Sequence, residues 1–155
     1  MGEILKKRLK QSRFESSEQE AILNILVASN HLKSKIDAVC LKYGITMSQF
    51  NVLRILNGKY PEGYPRCDII SRMIDPAPDV TRLIDRLIKQ ELVERFTSDE
   101  DRRLSLARIT KKGIAVLKKI KPEIDSLNYL ISDKLNKSER DQLSTLLEKV
   151  YADLY

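Results

Sequence analysis

Only one histidine and two cysteines occur in this chain, and that scarcity removes whole classes of chemistry. Cys40 and Cys67 are too few for a disulfide framework, and with His31 they complete no four-ligand zinc site unless carboxylates help. No Gly-rich phosphate loop, no histidine beside a nucleophile and no clustered metal ligands can be found, so the expectation is a protein without catalysis, cofactor or metal. Long apolar runs are also missing. No window of about 18 uncharged apolar residues exists, and residues 1–14 mix Ile, Leu and Lys without an apolar signal-peptide core. A cytoplasmic protein with reduced thiols, not placed in a membrane, follows as an expectation. Internal repeats and low-complexity segments are absent too.

What is present is 42% hydrophobic residues in 155, enough for a modest core in one domain, or one domain with an assembly arm. The formal net charge of +6 is confined to one place. Residues 80–121 hold twelve Lys or Arg against six Asp or Glu, which is the whole excess. A charge run is usually a solvated face. Its confinement to one segment points to a polyanionic partner, nucleic acid before membrane.

Periodicity supplies the elements. Ile4, Leu5 and Leu9 mark a short amphipathic helix that needs a surface to lean on. Ser17 and Glu20 read as a capping box opening one long helix (Ala21, Ile22, Ile25, Leu26, Leu32, Ile36, Val39) that ends at Tyr43-Gly44. Thr46 and Gln49 form a second capping box, before a helix with Phe50, Leu53, Ile55 and Leu56. Residues 60–66 form a loop or short extended piece, and a short helix spans 67–73. Asp75-Pro76 and Ala77-Pro78 both look like starts of the next helix, whose apolar stripe is Val80, Leu83, Ile84, Leu87 and Ile88. Residues 92–97 and 104–109 read as strands joined by a charged tip, 98–103. Thr110 caps a helix running to Leu135 that must bend or loosen at Pro122. Asn136 with Glu139 caps a last helix bearing Leu143, Leu146, Leu147, Val150 and Leu154.

Helix, short helix, helix, then a hairpin is the order of a winged helix-turn-helix, so the expected fold is mainly α with a small β-hairpin wing. Arginines on a protruding tip can reach phosphates or a narrow minor groove. A hairpin tip also collects charge simply because it is exposed, and the pattern by itself leaves both readings open.

The stretches "TRLIDRLIKQELVERF" and "DEDRRLSLARITKKG" resemble the recognition-helix and wing signature of the MarR family of bacterial transcription regulators. In that family a Thr-Arg-Leu helix precedes an Asp-x-Arg wing and a Leu-Thr-x-x-Gly helix start. The likeness extends more loosely to "GITMSQFNVL" and "LNKSERDQLSTLLEKV". It implies a homodimer with interlocked N- and C-terminal dimerisation helices, one MarR-like domain over 1–155 with a winged core at 46–112, and 1–43 and 113–155 serving mainly as dimerisation helices. Two winged domains would straddle a pseudo-palindromic operator in double-stranded DNA. Carried over by position, Pro78, Asp79, Val80, Thr81 and Arg82 would enter the major groove, Arg86 would contact backbone or base, and Arg103 would be the minor-groove arginine, oriented by Asp101. Arg102, Arg95, Lys111 and Lys112 are weaker phosphate candidates. The chain departs from the family at Glu91, where glycine is usual. Glu91 is therefore strained in a left-handed conformation, or the helix ends differently.

The remaining polar and aromatic residues carry competing readings. His31 reads as a partly buried or dimer-facing side chain. Asp75 and Asp79 read as capping and first-turn carboxylates. Tyr43, Tyr60, Tyr64 and Phe50 are candidates to line the effector cleft that the resemblance implies, against ordinary packing. Cys40 or Cys67 would serve a redox-sensing regulator, although neither occupies the position of the reactive cysteine in oxidant-sensing relatives. The leading expectation is a DNA-binding repressor released by a small-molecule effector. The alternative of another class is a winged-helix protein–protein adaptor.

Overall fold

A computed structural model describes residues 2–75, 79–98, 101 and 103–154. Its elements are α1 (Glu3–Leu9), α2 (Ser17–Leu41), α3 (Met47–Asn57), β1 (Tyr64–Pro65), α4 (Arg66–Arg72), α5 (Val80–Lys89), β2 (Val93–Thr97), β3 (Ser105–Ile109), α6 (Lys111–Ser126), α7 (Tyr129–Ser132) and α8 (Lys137–Tyr151). It is mainly helical, with one three-stranded antiparallel sheet in the order β1-β3-β2. The register pairs Tyr64 with Ala107, and Val93 with Ile109 through to Thr97 with Ser105.

Most helix starts are set by side chains that accept orphan amide hydrogens. Thr46 and Gln49 form the expected capping box of α3, and Asn136 and Glu139 that of α8. The cap of α2 lies one residue earlier than expected. Ser16 accepts from Gln19 N, and Gln19 Oε1 in turn accepts from Glu15 N, because the chain turns at Glu15 before the helix begins. Thr110 caps α6 by accepting from Gly113 N at 3.1 Å.

The third helix starts later than the proline pairs suggest. Asp79 is the N-cap of α5 and Val80 its first residue. Asp75 is therefore no first-turn residue; it pairs instead with Lys33 of α2 at 2.9 Å. The expected bend at Pro122 is also displaced. Helix α6 continues through Pro122 to Ser126, and the chain breaks at 127–128 before α7. The carbonyl deprived of a donor by the proline belongs to Lys118, an exposed residue that water can reach.

The core gathers under α3. Val52, Leu53 and Leu56 of α3, Ile69 of α4, Leu87 of α5, Ile109 of β3 and Ile120 of α6 are all completely buried. These side chains join the helix-turn-helix to the sheet and to α6 in one cluster. Helix α2 contributes only its C-terminal end, Val39 and Cys40, to the buried set. Hydrogen bonds fasten that end to the winged part: Met47 N donates to Asp37 Oδ1 at 2.8 Å, and Gln90 Nε2 donates to Gly44 O at 2.9 Å.

Large apolar side chains stay outside this core. Ile4 on α1, Ile22 and Leu26 on α2, and Leu143, Leu146 and Val150 on α8 are exposed. None of the residues of α8 itself is buried. Among the described residues, no helix is long and apolar enough to cross a membrane.

Candidate nucleic-acid interface

Helix α5 is held by its apolar stripe, with Val80, Ile84 and Leu87 buried against the core. The 3.6-residue repeat then places Arg82, Lys89 and Arg86 outward. Arg82 is well exposed, and its Nε lies 2.8 Å from Asp79 Oδ2, while the same carboxylate accepts Arg82 N at 3.1 Å. Asp79 thus caps the helix and holds the guanidinium at the helix tip. Arg86 lies one turn further along and is exposed, with no described side chain paired to it.

The other polar face of α5 is occupied by arginines from neighbouring elements. Arg66, at the start of α4, donates from Nη1 to Thr81 Oγ1 at 3.0 Å. Arg95 of β2 meets Asp85 at 3.0 Å. Arg66 was not among the residues the sequence singled out, because nothing in "YPR" reveals that α4 begins beside Thr81.

The end of α5 shows what glutamate does in the family's glycine position. Glu91 is left-handed, with φ of 61°. Its N–H donates to Ile88 O at 2.8 Å, and Leu92 N donates to Leu87 O at 2.9 Å. This pair of bonds is a Schellman closure, with Leu92 and Leu87 both buried across it. Of the two alternatives for Glu91, strain in a left-handed conformation is the one observed. The residue also has partners: Thr110 Oγ1 donates to its carbonyl at 2.7 Å, and Lys112 meets its carboxylate at 2.7 Å. That lysine holds the Glu91 carboxyl below its ordinary pKa, first by hydrogen bonding and then by charge.

In the wing, Ser98 N donates to Leu104 O at 3.0 Å and Leu104 N to Asp101 O at 2.9 Å. Asp101 Oδ1 accepts the backbone N–H of Arg103 at 2.9 Å. The aspartate therefore orients the backbone of the turn, where the resemblance had it holding the Arg103 guanidinium. Arg103 is exposed, and no described side chain pairs with its guanidinium. Pro78 and Arg102, two of the expected contact residues, lie outside the described residues. Arg95 and Lys112 are engaged by Asp85 and Glu91, whereas Lys111 is exposed at the start of α6.

The aromatic candidates do not converge on one cleft. Tyr43 OH donates to Glu123 Oε1 at 2.6 Å, and Lys42 meets the other carboxylate oxygen at 2.5 Å. Hydrogen bonds from Lys42 and Tyr43 hold the Glu123 carboxyl below its ordinary pKa. The Tyr64 ring is stacked by both Lys59 and Arg72, at 4.8 and 4.5 Å. Phe50 lines a cavity of about 320 Å³ between α3 and α6, and Tyr60 lines a separate one of about 380 Å³ beside Glu94 and Arg108. A third cavity, of about 360 Å³, separates α2 from the start of α3 and from Met73, Ile74 and Asp75. His31 is exposed, which removes the partly buried reading. Cys40 is fully buried, and burial followed by the nearby Asp37 charge pushes its thiol up to about 11. Such a thiol is poorly suited to sensing oxidants, which attack the thiolate. Cys67 is exposed at the start of α4.

The model of the MarR family matches residues 45–105, which include α3, α4, α5, β2 and the wing tip. The HTH-type transcriptional regulator MhqR of Bacillus subtilis is 31% identical over 113 residues, covering 70% of this chain and 74% of that protein. The chain belongs to the MarR family. MarR-family proteins are dimeric DNA-binding transcription regulators, and this chain is one of them. The MarR fold is equally evident in solved structures. A MarR transcription factor from Planctomyces limnophilus, 32% identical, superposes with a TM-score of 0.67 over 88% of this chain and 98% of that one. The S. aureus MepR–DNA complex, 22% identical, gives 0.77 over 91% and 99%.

Proposed function

We propose that this MarR protein is a cytoplasmic repressor without catalytic activity, binding a pseudo-palindromic operator through α5 and the wing. The observation that carries the reading is the pairing of two outward arginine sets on separate elements: Arg82 and Arg86 on α5, and Arg103 on the wing. A helix can enter the major groove while a wing follows the backbone into the adjacent minor groove. Asp79, Val80 and Thr81 set the tip of the helix, and Pro78 and Arg102 are assigned to the contact set by their positions in the sequence alone. Asp101 shapes the turn that carries Arg103. MepR has been solved on DNA, which supports the same use of the fold here.

The division of labour we assign is a winged core at 46–112, flanked by 1–43 and 113–155 as mainly dimerising segments. Support comes from the exposed Ile22 and Leu26 of α2 and Leu146 and Val150 of α8, which one chain leaves without cover. The cavity beside Met73, Ile74 and Asp75 suits a small effector, since material there would press on the segment leading into α5.

Selection from a random-duplex library at near-physiological salt tests the reading. The expected result is a two-fold palindrome with half-site centres about one helical turn, roughly 10 bp, apart. A folded protein that retains no preferred sequence would instead support the adaptor. On the selected site, Arg82→Ala is expected to weaken binding by about 1–3 kcal/mol and to relax preference at the contacted base pair. Arg103→Ala should weaken it chiefly where the minor groove is narrow. Unchanged affinity for both variants, measured by titration, would overturn the assignment.

A further inference from the structure

Arg66 stands outside the resemblance and outside the two arginine sets, yet it touches the recognition helix. Its position is built in. Pro65 is paired with Leu106 in the sheet and forms the N-cap of α4, so the residue that follows must project from the sheet edge toward α5. There Nη1 lies 3.0 Å from Thr81 Oγ1. Among the described residues, this is the hydrogen bond that the Thr81 side chain makes. Thr81 is half-exposed, one residue from Arg82.

A guanidinium only donates, whereas a threonine hydroxyl has one donor and two acceptor sites. Arg66 therefore occupies an acceptor site of Thr81 and leaves the hydroxyl hydrogen for another partner. The positive charge beside the same oxygen also repels the amino hydrogens of a base. In the major groove, cytosine presents only such hydrogens, at N4, and adenine presents them at N6 beside its N7 acceptor, while guanine O6 and N7 and thymine O4 are acceptors with no amino group beside them. We propose that Arg66 is a positioning and specificity-determining residue, which polarises Thr81 into a hydrogen-bond donor and selects guanine or thymine at the base it faces. The assignment rests on the reading that α5 enters the major groove.

The test compares base preferences, position by position, for wild type, Thr81→Val, Arg66→Met and Arg66→Lys in the random-duplex selection. Thr81→Val identifies the base pair concerned. Arg66→Met should reduce the guanine-or-thymine preference at that same pair by about five-fold, the scale of one net hydrogen bond. Arg66→Lys, which keeps a charge and a donor, should recover part of it. Combining Arg66→Met with Thr81→Val should add nothing at that pair beyond Thr81→Val alone. A uniform affinity loss from Arg66→Met, with preferences intact and the salt slope reduced by about 1, would make Arg66 a phosphate contact and overturn the proposal. Altered preference at several base pairs would make it a general support of α5 and overturn it equally. Absence of any preferred sequence for wild type would overturn the DNA reading itself, an outcome distinct from both.

Discussion

Glu91 occupies a backbone conformation that glycine adopts at little cost and other L-residues adopt at roughly 1–2 kcal/mol. Its carbonyl and carboxylate bonds to Thr110 and Lys112 are what the chain has in exchange. Glu91→Gly is expected to raise the urea midpoint, and Glu91→Val, with a branched side chain at positive φ, to lower stability by about 1–2 kcal/mol. Equal losses in both variants would mean that the Lys112 contact outweighs the strain. Cys40 yields a prediction about pH. Its thiol titrates at about 11 in the folded protein against 9.0 for an ordinary cysteine. Between those values the unfolded chain has lost a proton that the folded one keeps, so stability present below about 9 is lost as the pH rises toward 11. The Tyr43 hydroxyl, raised by its bond to Glu123, acts in the same direction. Urea unfolding across this range should therefore show a shallower alkaline decline in Cys40→Ala than in wild type, even though the variant starts from a lower stability. Parallel declines would show that Tyr43 and other groups account for it.

At the scale of elements, α6 is joined to the wing by one small residue. A Cβ added at Gly113 would lie 2.4 Å from Leu92 O and 2.6 Å from Ile109 Cγ1, against backbone and a buried strand residue. Gly113→Ala is therefore expected to cost about 1–3 kcal/mol or more, measured by denaturant unfolding. An unchanged midpoint would mean that the start of α6 moves freely relative to the sheet. Helix starts with side-chain caps were the most legible features of the sequence. Thr46, Thr110 and Asn136 each cap the helix they were expected to cap, because capping depends on atoms three residues apart. Ends governed by distant contacts were less legible. The start of α5 lies beyond both proline pairs, and α6 continues through Pro122, where burial of Ile120 holds one side of the helix and water serves the other. The two-residue strand β1 was expected only as a loop or short extended piece, since its strand identity comes from pairing with β3.

The whole molecule has more apolar surface on α2 and α8 than a single chain covers. Introducing Leu146→Asp with Val150→Asp should shift the protein toward monomer in sedimentation equilibrium while leaving its helical content near that of wild type. A persistent dimer would place the interface elsewhere. The sequence by itself determined the helical periodicities, the caps, the hairpin and the family signature. It also singled out the outward arginines Arg82, Arg86 and Arg103, because side-chain direction along a helix or at a hairpin tip follows from local geometry. Only the tertiary structure decided which charges already have partners: Arg95 with Asp85, Lys112 with Glu91, and Arg66 with Thr81. It also separated Tyr43, Phe50, Tyr60 and Tyr64 among different surroundings and placed Cys40 where burial suppresses its thiolate. Such contacts join residues from ten to eighty positions apart. Packing of the helices against the sheet brings them together, and no short-range pattern encodes that distance.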